Sequence, residues 1–144
     1  MGILSSEEQE RITHAVSLAE NRTSGEIRVV VENIVGKHTA IEKATKYFEK
    51  LEMHKTVLRN GVLIYLAVAD HQFAIIGDQG IHGRVEADFW ECTKEKMIHH
   101  FRTGDYVKGL IEGISQAGER LHTFFPRQDD DVNELPNEVY FGSN

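Results

Sequence analysis

Two apolar segments separated by a short polar break dominate the hydrophobic pattern of this chain. Residues 62–69 (Val-Leu-Ile-Tyr-Leu-Ala-Val-Ala) form a continuous apolar run, and residues 73–76 (Phe-Ala-Ile-Ile) form a second one. The first run follows Gly61 and contains several β-branched residues, which predicts a central strand covered on both faces. The break between the runs is too short for a crossover, so the two strands should form an antiparallel hairpin.

Alternating apolar residues predict another strand over residues 26–32, where Ile27, Val29 and Val31 alternate with more polar neighbours. Apolar residues at helical spacing predict a helix over residues 39–53, between this strand and the central one. A strand–helix–strand unit of this kind has parallel strands and a right-handed crossover. The chain is therefore predicted to be an α/β protein with a mixed sheet of βαββ order.

Helices are predicted on both sides of this unit in the sequence. Ser5 and Glu8 have the spacing of a capping box and predict a helix that ends before residues 23–25 (Thr-Ser-Gly). A second helix is predicted over residues 86–101, and Asp105 should cap a third.

We predict one domain over residues 1–123 and an extended acidic tail over residues 124–144. The tail contains two prolines, several carboxylates and a short apolar segment, Val139-Tyr140-Phe141. That segment could dock on its own domain or engage a protein partner.

The charge balance argues against a nucleic-acid partner. The chain of 144 residues has 16 Lys and Arg against 23 Asp and Glu, a formal net charge of −7, and no basic cluster for phosphate binding. No apolar run approaches the length of about 18 residues that a membrane span needs. Cys92 is the single cysteine, and the first residues lack the basic and apolar regions of a signal peptide. These observations predict a cytoplasmic protein.

Four short segments carry a resemblance to a known family. They are residues 23–27 (Thr-Ser-Gly-Glu-Ile), 60–64 (Asn-Gly-Val-Leu-Ile), 77–81 (Gly-Asp-Gln-Gly-Ile) and 101–109 (Phe-Arg-Thr-Gly-Asp-Tyr-Val-Lys-Gly). With these segments the chain resembles the TPM domain family, named for thylakoid-lumen, photosystem II repair and membrane-associated members. The resemblance extends over residues 5–122, nearly the whole predicted domain.

The resemblance implies a three-layer α/β/α sandwich of Rossmann-like outline, which agrees with the predicted βαββ order. It also implies a divalent cation, most often calcium, at acidic loops, and acid phosphatase activity has been ascribed to plant members. The chain departs from the family in two respects. Many members are exported or membrane-tethered, and the family's glycine turn often reads Gly-Tyr-Gly, where this chain has Asp78-Gln79.

The βαββ order places the start of strand 26–32, the start of the central strand and the exit of strand 73–76 at one edge of the sheet. Glu26 and Asp78 lie at this edge, and Glu86 and Asp88 follow the glycine-rich turn closely enough to fold back to it. Hard divalent cations prefer such oxygen ligands on loops, so these four residues are the predicted metal ligands, with calcium preferred over magnesium. The alternative is that Asp78 is a turn residue and that the other carboxylates complement a helix N-terminus.

Four further polar residues are secondary candidates for cation contacts. Asp70 lies in the predicted hairpin, where an ordinary turn role is favoured. Asp129, Asp131 and Asn133 have the opening spacing of an EF-hand loop. Glycine and a bidentate glutamate are missing from the later positions of that loop, which excludes a true EF-hand.

Two functional hypotheses follow. The favoured one is a calcium-binding interaction module with no enzymatic activity. The alternative is a metal-dependent acid phosphatase, for which Arg59 and Arg84 would provide the positive charge beside Asp78. No sequence motif fixes a nucleophile, an acid and a charge clamp together, so catalytic residues are not assigned.

Overall fold

The structure, a computed structural model, describes residues 4–56, 58–82, 85, 88–127 and 137–142. Within these ranges the chain forms a mixed four-stranded sheet with helices on both faces. The strands are β1 (Glu26–Glu32), β2 (Gly61–Ala67), β3 (Gln72–Gly77) and β4 (Tyr140–Phe141). The helices are α1 (Ser6–Glu20), α2 (Ala40–Lys50), α3 (Gln79–His82), α4 (Glu91–Arg102) and α5 (Tyr106–Phe124), with a 3-10 turn at Met53–Lys55.

Strand β2 is buried along its whole length and pairs on both sides. It runs parallel to β1 and antiparallel to β3, giving the order β3-β2-β1-β4. Its side chains alternate between two cores, with Val62, Ile64 and Leu66 facing one layer. Leu63 and Tyr65 face the other layer. This alternation confirms the predicted sandwich with β2 at its centre.

The two layers are unequal. Helices α1, α4 and α5 cover one face, where Ile12, Met97 and Ile114 belong to a single core. Helix α2 covers the other face, to which it contributes Ala44 and Phe48. The predicted parallel pairing of β1 with β2 follows from this arrangement, because α2 is the crossover between them.

Side-chain caps begin the helices at the predicted positions. Ser5 Oγ accepts a hydrogen bond from the Glu8 amide at 3.1 Å, and the Glu8 carboxylate accepts one from the Ser5 amide at 2.8 Å. Asp105 accepts from the Lys108 amide at 3.1 Å and begins α5. Thr39 forms a second capping box at α2. Each cap satisfies amides that a helix start leaves unpaired, worth about 1 kcal/mol.

Several predicted boundaries were wrong. The helix predicted from residue 86 begins at Glu91, after a turn closed by the Asp88 carbonyl and the Glu91 amide at 3.0 Å. The helix predicted over residues 39–53 ends at Lys50 because Glu52 adopts a left-handed φ of 59°. The short helix α3 was not predicted, since four residues are too few to show helical periodicity.

The aromatic end of the predicted tail docks on the sheet as β4. Tyr140 and Phe141 pair in parallel with β1, and the Gly142 amide donates to the Val31 carbonyl at 2.9 Å. The Tyr140 ring lies 5.8 Å from the ring of Tyr47 on α2. The sequence pattern allowed this docking but did not identify β1 as the partner. Asp129, Asp131 and Asn133, the tail's candidate cation ligands, lie outside the described residues.

Gly142 should be required for β4 to dock, because a Cβ at this position would fall on Glu32 Oε1 and lie 2.6 Å from the Tyr47 hydroxyl. We expect Gly142→Ala to weaken docking and Gly142→Val to expel the strand, at a cost of about 1–3 kcal/mol. Amide hydrogen exchange at residues 140–142 is the measurement. Full protection of these amides in the valine variant would contradict the prediction.

Candidate functional site

The starts of β1 and β2 and the exit of β3 lie at one edge of the sheet, as the βαββ order predicts. Glu26 is in register with Gly61, and the Asp78 amide donates to the Gly61 carbonyl at 2.9 Å. Glu26 and Asp78 therefore flank the same residue, with Cα atoms about 10 Å apart, or two strand spacings. Both side chains are buried, as is Asn60 just before β2. We call the surface around Glu26, Asn60 and Asp78 the acidic edge.

Asp78 is held in a two-point ion pair with Arg59. Arg59 Nε and one terminal nitrogen donate to the two carboxylate oxygens at 2.8 and 2.9 Å. The Gln79 amide donates to the same carboxylate at 2.7 Å. A bidentate, charge-assisted pair neutralises the carboxylate and orients it. A cation at Asp78 would have to displace Arg59 or share the carboxylate with it.

The backbone around Arg59 explains why glycine follows Asp78 at position 80. Arg59 has a left-handed φ of 52°, and its carbonyl accepts a hydrogen bond from the Gly80 amide at 2.8 Å. A Cβ on residue 80 would lie 2.6 Å from that carbonyl oxygen. Only glycine permits this approach, which brings the Arg59 guanidinium to the Asp78 carboxylate.

The remaining predicted ligands have different surroundings. Asp88 is exposed in the turn before α4, and Glu86 lies outside the described residues. Asp70 lies at the opposite edge, where its carboxylate accepts a hydrogen bond from the Val35 amide at 2.8 Å. That bond ties the β2–β3 turn to the loop after β1, which is a structural role for Asp70.

Glu20, which the sequence analysis did not select, completes a buried carboxylate pair at the acidic edge. Its Oε2 accepts a hydrogen bond from the Ile27 amide at 2.9 Å, whereas its Oε1 is buried and has no hydrogen-bond partner among the described residues. Burial raises the pKa of Glu20 to about 8, and the negative charge of Glu26 adds to the increase. Among the residues that the structure describes, no group of three or more His, Cys, Asp or Glu side chains is placed to hold a metal ion.

The sequence contains a signal that could have identified Glu20. It follows Ile12 and Val16 at intervals of four residues, so it lies on the apolar face of α1. A carboxylate on an apolar helix face is rarely buried unless it has a partner. The partner is the Ile27 amide at the start of β1, and nothing in the local pattern specifies that contact.

A third buried glutamate lies at the opposite end of β1. Glu32 is fully buried and accepts hydrogen bonds from the hydroxyls of Tyr47, at 2.7 Å, and Tyr65. Lys43 Nζ lies 3.2 Å from Glu32 Oε2. Burial and the Glu32 carboxylate raise the pKa of Tyr65 above its ordinary value. This cluster is closed by its own partners and by Gly142, so it stabilises the fold and presents no open site.

A groove of about 790 Å³ runs along β3. Helix α2 forms one wall, and Trp90 and Lys94 form the other. His54, Arg59 and Asp78 lie at the end where β3 leaves the sheet. The groove therefore joins an apolar channel to a charged end.

Comparison with known families supports the resemblance seen in the sequence. A model of the TPM domain matches residues 1–120. The chain belongs to the TPM domain family. A search of curated proteins gives no match.

Three of the solved structures similar to this TPM domain come from bacteria. The NMR structure of BA42 protein from Bizionia argentinensis is 42% identical, with a TM-score of 0.91, and the match covers 98% of this chain and 97% of that one. The N-terminal domain of a protein from P. gingivalis is 22% identical, with a TM-score of 0.69 and coverage of 86% and 80%. The N-terminal domain of cg2496 protein from Corynebacterium glutamicum is 12% identical, with a TM-score of 0.65 and coverage of 100% and 84%. The latter two show the fold alone.

The described part of this TPM domain contains no helix with the length and apolar character needed to cross a membrane.

The raised pKa of Glu20 makes stability depend on pH. Between pH 4.5, the ordinary pKa of a glutamate, and a pH of about 8, folded Glu20 retains a proton that the unfolded chain has lost. The free energy of unfolding in EDTA should therefore fall as pH rises through this window, by up to about 1.4 kcal/mol per pH unit. Denaturant unfolding across the window should show this slope, and Glu20→Gln should flatten it.

Glu10→Gln, which changes an exposed carboxylate on the same helix, is the control and should keep the slope. An unchanged slope in Glu20→Gln would show that Glu20 does not hold the extra proton.

Proposed function

We propose that this TPM domain is a divalent-cation binding module, with calcium preferred over magnesium and the acidic edge as its site. The observation that carries the proposal is the buried Glu20 Oε1 without a partner, beside the second buried carboxylate of Glu26. Ionising a second carboxylate in this buried place is costly, so Glu20 keeps a proton, and a bound cation would displace that proton and compensate the charge. Calcium takes six to eight oxygen ligands in flexible geometry, so backbone carbonyls and water would supplement the two glutamates.

Asp78 and Asp88 remain proposed ligands on the basis of the family resemblance, as does Glu86. Asp78 and Glu26 lie on either side of Gly61, because Glu26 pairs with Gly61 across β1 and β2 and the Asp78 amide bonds to the Gly61 carbonyl. Its use would require Arg59 to release at least one carboxylate oxygen, because both accept from the guanidinium. We therefore rank Glu20 and Glu26 above Asp78 as first ligands.

A calcium titration followed by amide NMR shifts tests the site. We expect shifts concentrated at residues 20–27 and 60–61, with further shifts at 77–79 if Asp78 takes part. Glu20→Gln and Glu26→Gln should each weaken binding roughly tenfold, since each removes a charged ligand. The control Glu10→Gln should bind calcium as the unmodified protein does.

Three results would contradict the proposal. Shifts restricted to residues 137–142 would move the site to the tail. An absence of shifts at millimolar calcium would remove the cation altogether. Tighter binding of magnesium than of calcium would reverse the proposed preference.

The module proposal extends to the tail. Residues 128–136 contribute an acidic segment between α5 and β4, and we propose that the tail engages a protein partner while β4 stays on the sheet. A cytoplasmic location is part of the same proposal and accords with the single, exposed Cys92.

A metal-dependent phosphatase is the second candidate function. The observation that favours it is the lining of the groove, which includes Arg59, Lys94 and His54 together with Asp78. A phosphoryl group there would meet positive charge, but both carboxylate oxygens of Asp78 accept from Arg59, so Asp78 is not available for transfer chemistry. Arg84, the other predicted clamp residue, lies outside the described residues.

We expect negligible hydrolysis of p-nitrophenyl phosphate by the purified protein across roughly pH 4 to 8, with or without calcium or magnesium. The physical reason is the ion pair, which occupies both carboxylate oxygens of Asp78. Turnover that disappears in Asp78→Asn would establish the phosphatase and overturn the expectation. Turnover that is unchanged in that variant would indicate a contaminant.

A further inference from the structure

Strand β3 ends the sheet, and its outer side has no strand partner in the described structure. The Asp78 amide bonds to the Gly61 carbonyl, so residues 72, 74 and 76 also direct their backbone groups toward β2. The Val68 amide, just after β2, bonds to the Glu32 carbonyl of β1. Even-numbered residues of β2 therefore face β1 and odd-numbered ones face β3, which agrees with this assignment. By that alternation the amides and carbonyls of Phe73, Ile75 and Gly77 point away from the sheet.

Two of these three residues, Ile75 and Gly77, line the groove described above, between α2 on one side and the start of α4 on the other. Ile41, on the α2 wall, is 60% exposed. A groove that contains an exposed strand edge is a setting in which an extended peptide can add to a sheet.

Three donors that line the groove have unused capacity. Arg59 uses Nε and one terminal nitrogen on Asp78, and its other terminal nitrogen has no hydrogen bond in the described chain. His54 Nδ1 is buried and lacks a partner. Lys94 is 3.6 Å from Glu91, whose side chain is 62% exposed. Two carboxylates, Asp78 and Glu49, also line the groove. In the described chain Asp78 is paired with a guanidinium, and Glu49 is not. This end of the groove therefore suits an anionic group.

We propose that the β3 edge binds an extended peptide segment of a partner protein, as an added antiparallel strand with an acidic side chain near its N-terminal end. The antiparallel direction is the more stable pairing. It places the N-terminal end of the segment beside Gly77, where Arg59, Lys94 and His54 meet its carboxylate. The peptide backbone would bond to Phe73, Ile75 and Gly77, and its apolar side chains would contact Ile41 and Trp90. This site is separate from the proposed cation ligands Glu20 and Glu26.

The probe is the synthetic hexapeptide acetyl-Glu-Thr-Val-Thr-Val-Thr-amide, titrated to millimolar concentration into the labelled full-length protein. We expect the amides of Phe73, Ile75 and Gly77 to shift and to exchange more slowly. Lys94→Glu should weaken binding roughly tenfold, as expected for reversal of a charged contact. Lys96→Glu, an exposed change on the same helix, should leave binding unchanged.

Two N-methylated versions of the probe separate strand addition from side-chain binding. One is methylated at the second, fourth and sixth residues, and the other at the third and fifth. A strand that pairs with β3 directs alternate amides toward it, so one version should lose binding and the other should retain it.

Several outcomes would overturn the proposal. Equal effects of the two methylated peptides would exclude strand addition. Shifts at residues 30–31 rather than 73–77 would place the peptide on the β4 side of the sheet. Inorganic phosphate that reproduces the shifts and blocks the peptide would identify a small-anion site. An absence of shifts with all of these probes would show that the edge does not bind strands.

Discussion

Strand β2 has seven buried residues and a hydrogen-bonded neighbour on each side, so both of its faces and both of its edges must be covered by the rest of the chain. A single helix layer cannot do this. Helix α2 covers one face as the crossover from β1, and α1, α4 and α5 cover the other. Because side chains alternate along a strand, this requirement also fixes which residues of β1 and β3 face each layer.

The same requirement places two glutamates at opposite ends of β1, inside the protein. Glu32 is surrounded by two tyrosine hydroxyls and Lys43, so its burial is compensated by complementary partners. Glu20 has one amide partner and a second oxygen with none. The contrast between a satisfied and a half-satisfied carboxylate distinguishes a structural cluster from a site with chemistry still available.

The two outer edges of the sheet also differ. On the β1 side, β4 supplies two residues of pairing, and Gly142 continues against Glu32 and Tyr47. On the β3 side three residues direct their backbone groups outward, and two of them, Ile75 and Gly77, line a groove. Sheet edges are usually shortened, charged or covered, because exposed strand groups pair readily with other chains. Strand β3 has no charged residue or proline, so the flanking helices provide its protection.

The sequence by itself determined the βαββ order, the central strand, the capping residues Ser5 and Asp105, and the edge shared by Glu26 and Asp78. These features depend on periodicity, caps and connection length, which are properties of neighbouring residues. The boundaries at Glu91 and Lys50 were decided by turns whose backbone geometry has no periodic signature. Tertiary structure alone decided the pairing of Arg59 with Asp78, the burial of Glu20 against Ile27, the Glu32 cluster and the docking of β4 on β1. Each of these joins residues that are distant along the chain or depends on an unusual φ, and only the packed layers bring those groups within hydrogen-bonding distance.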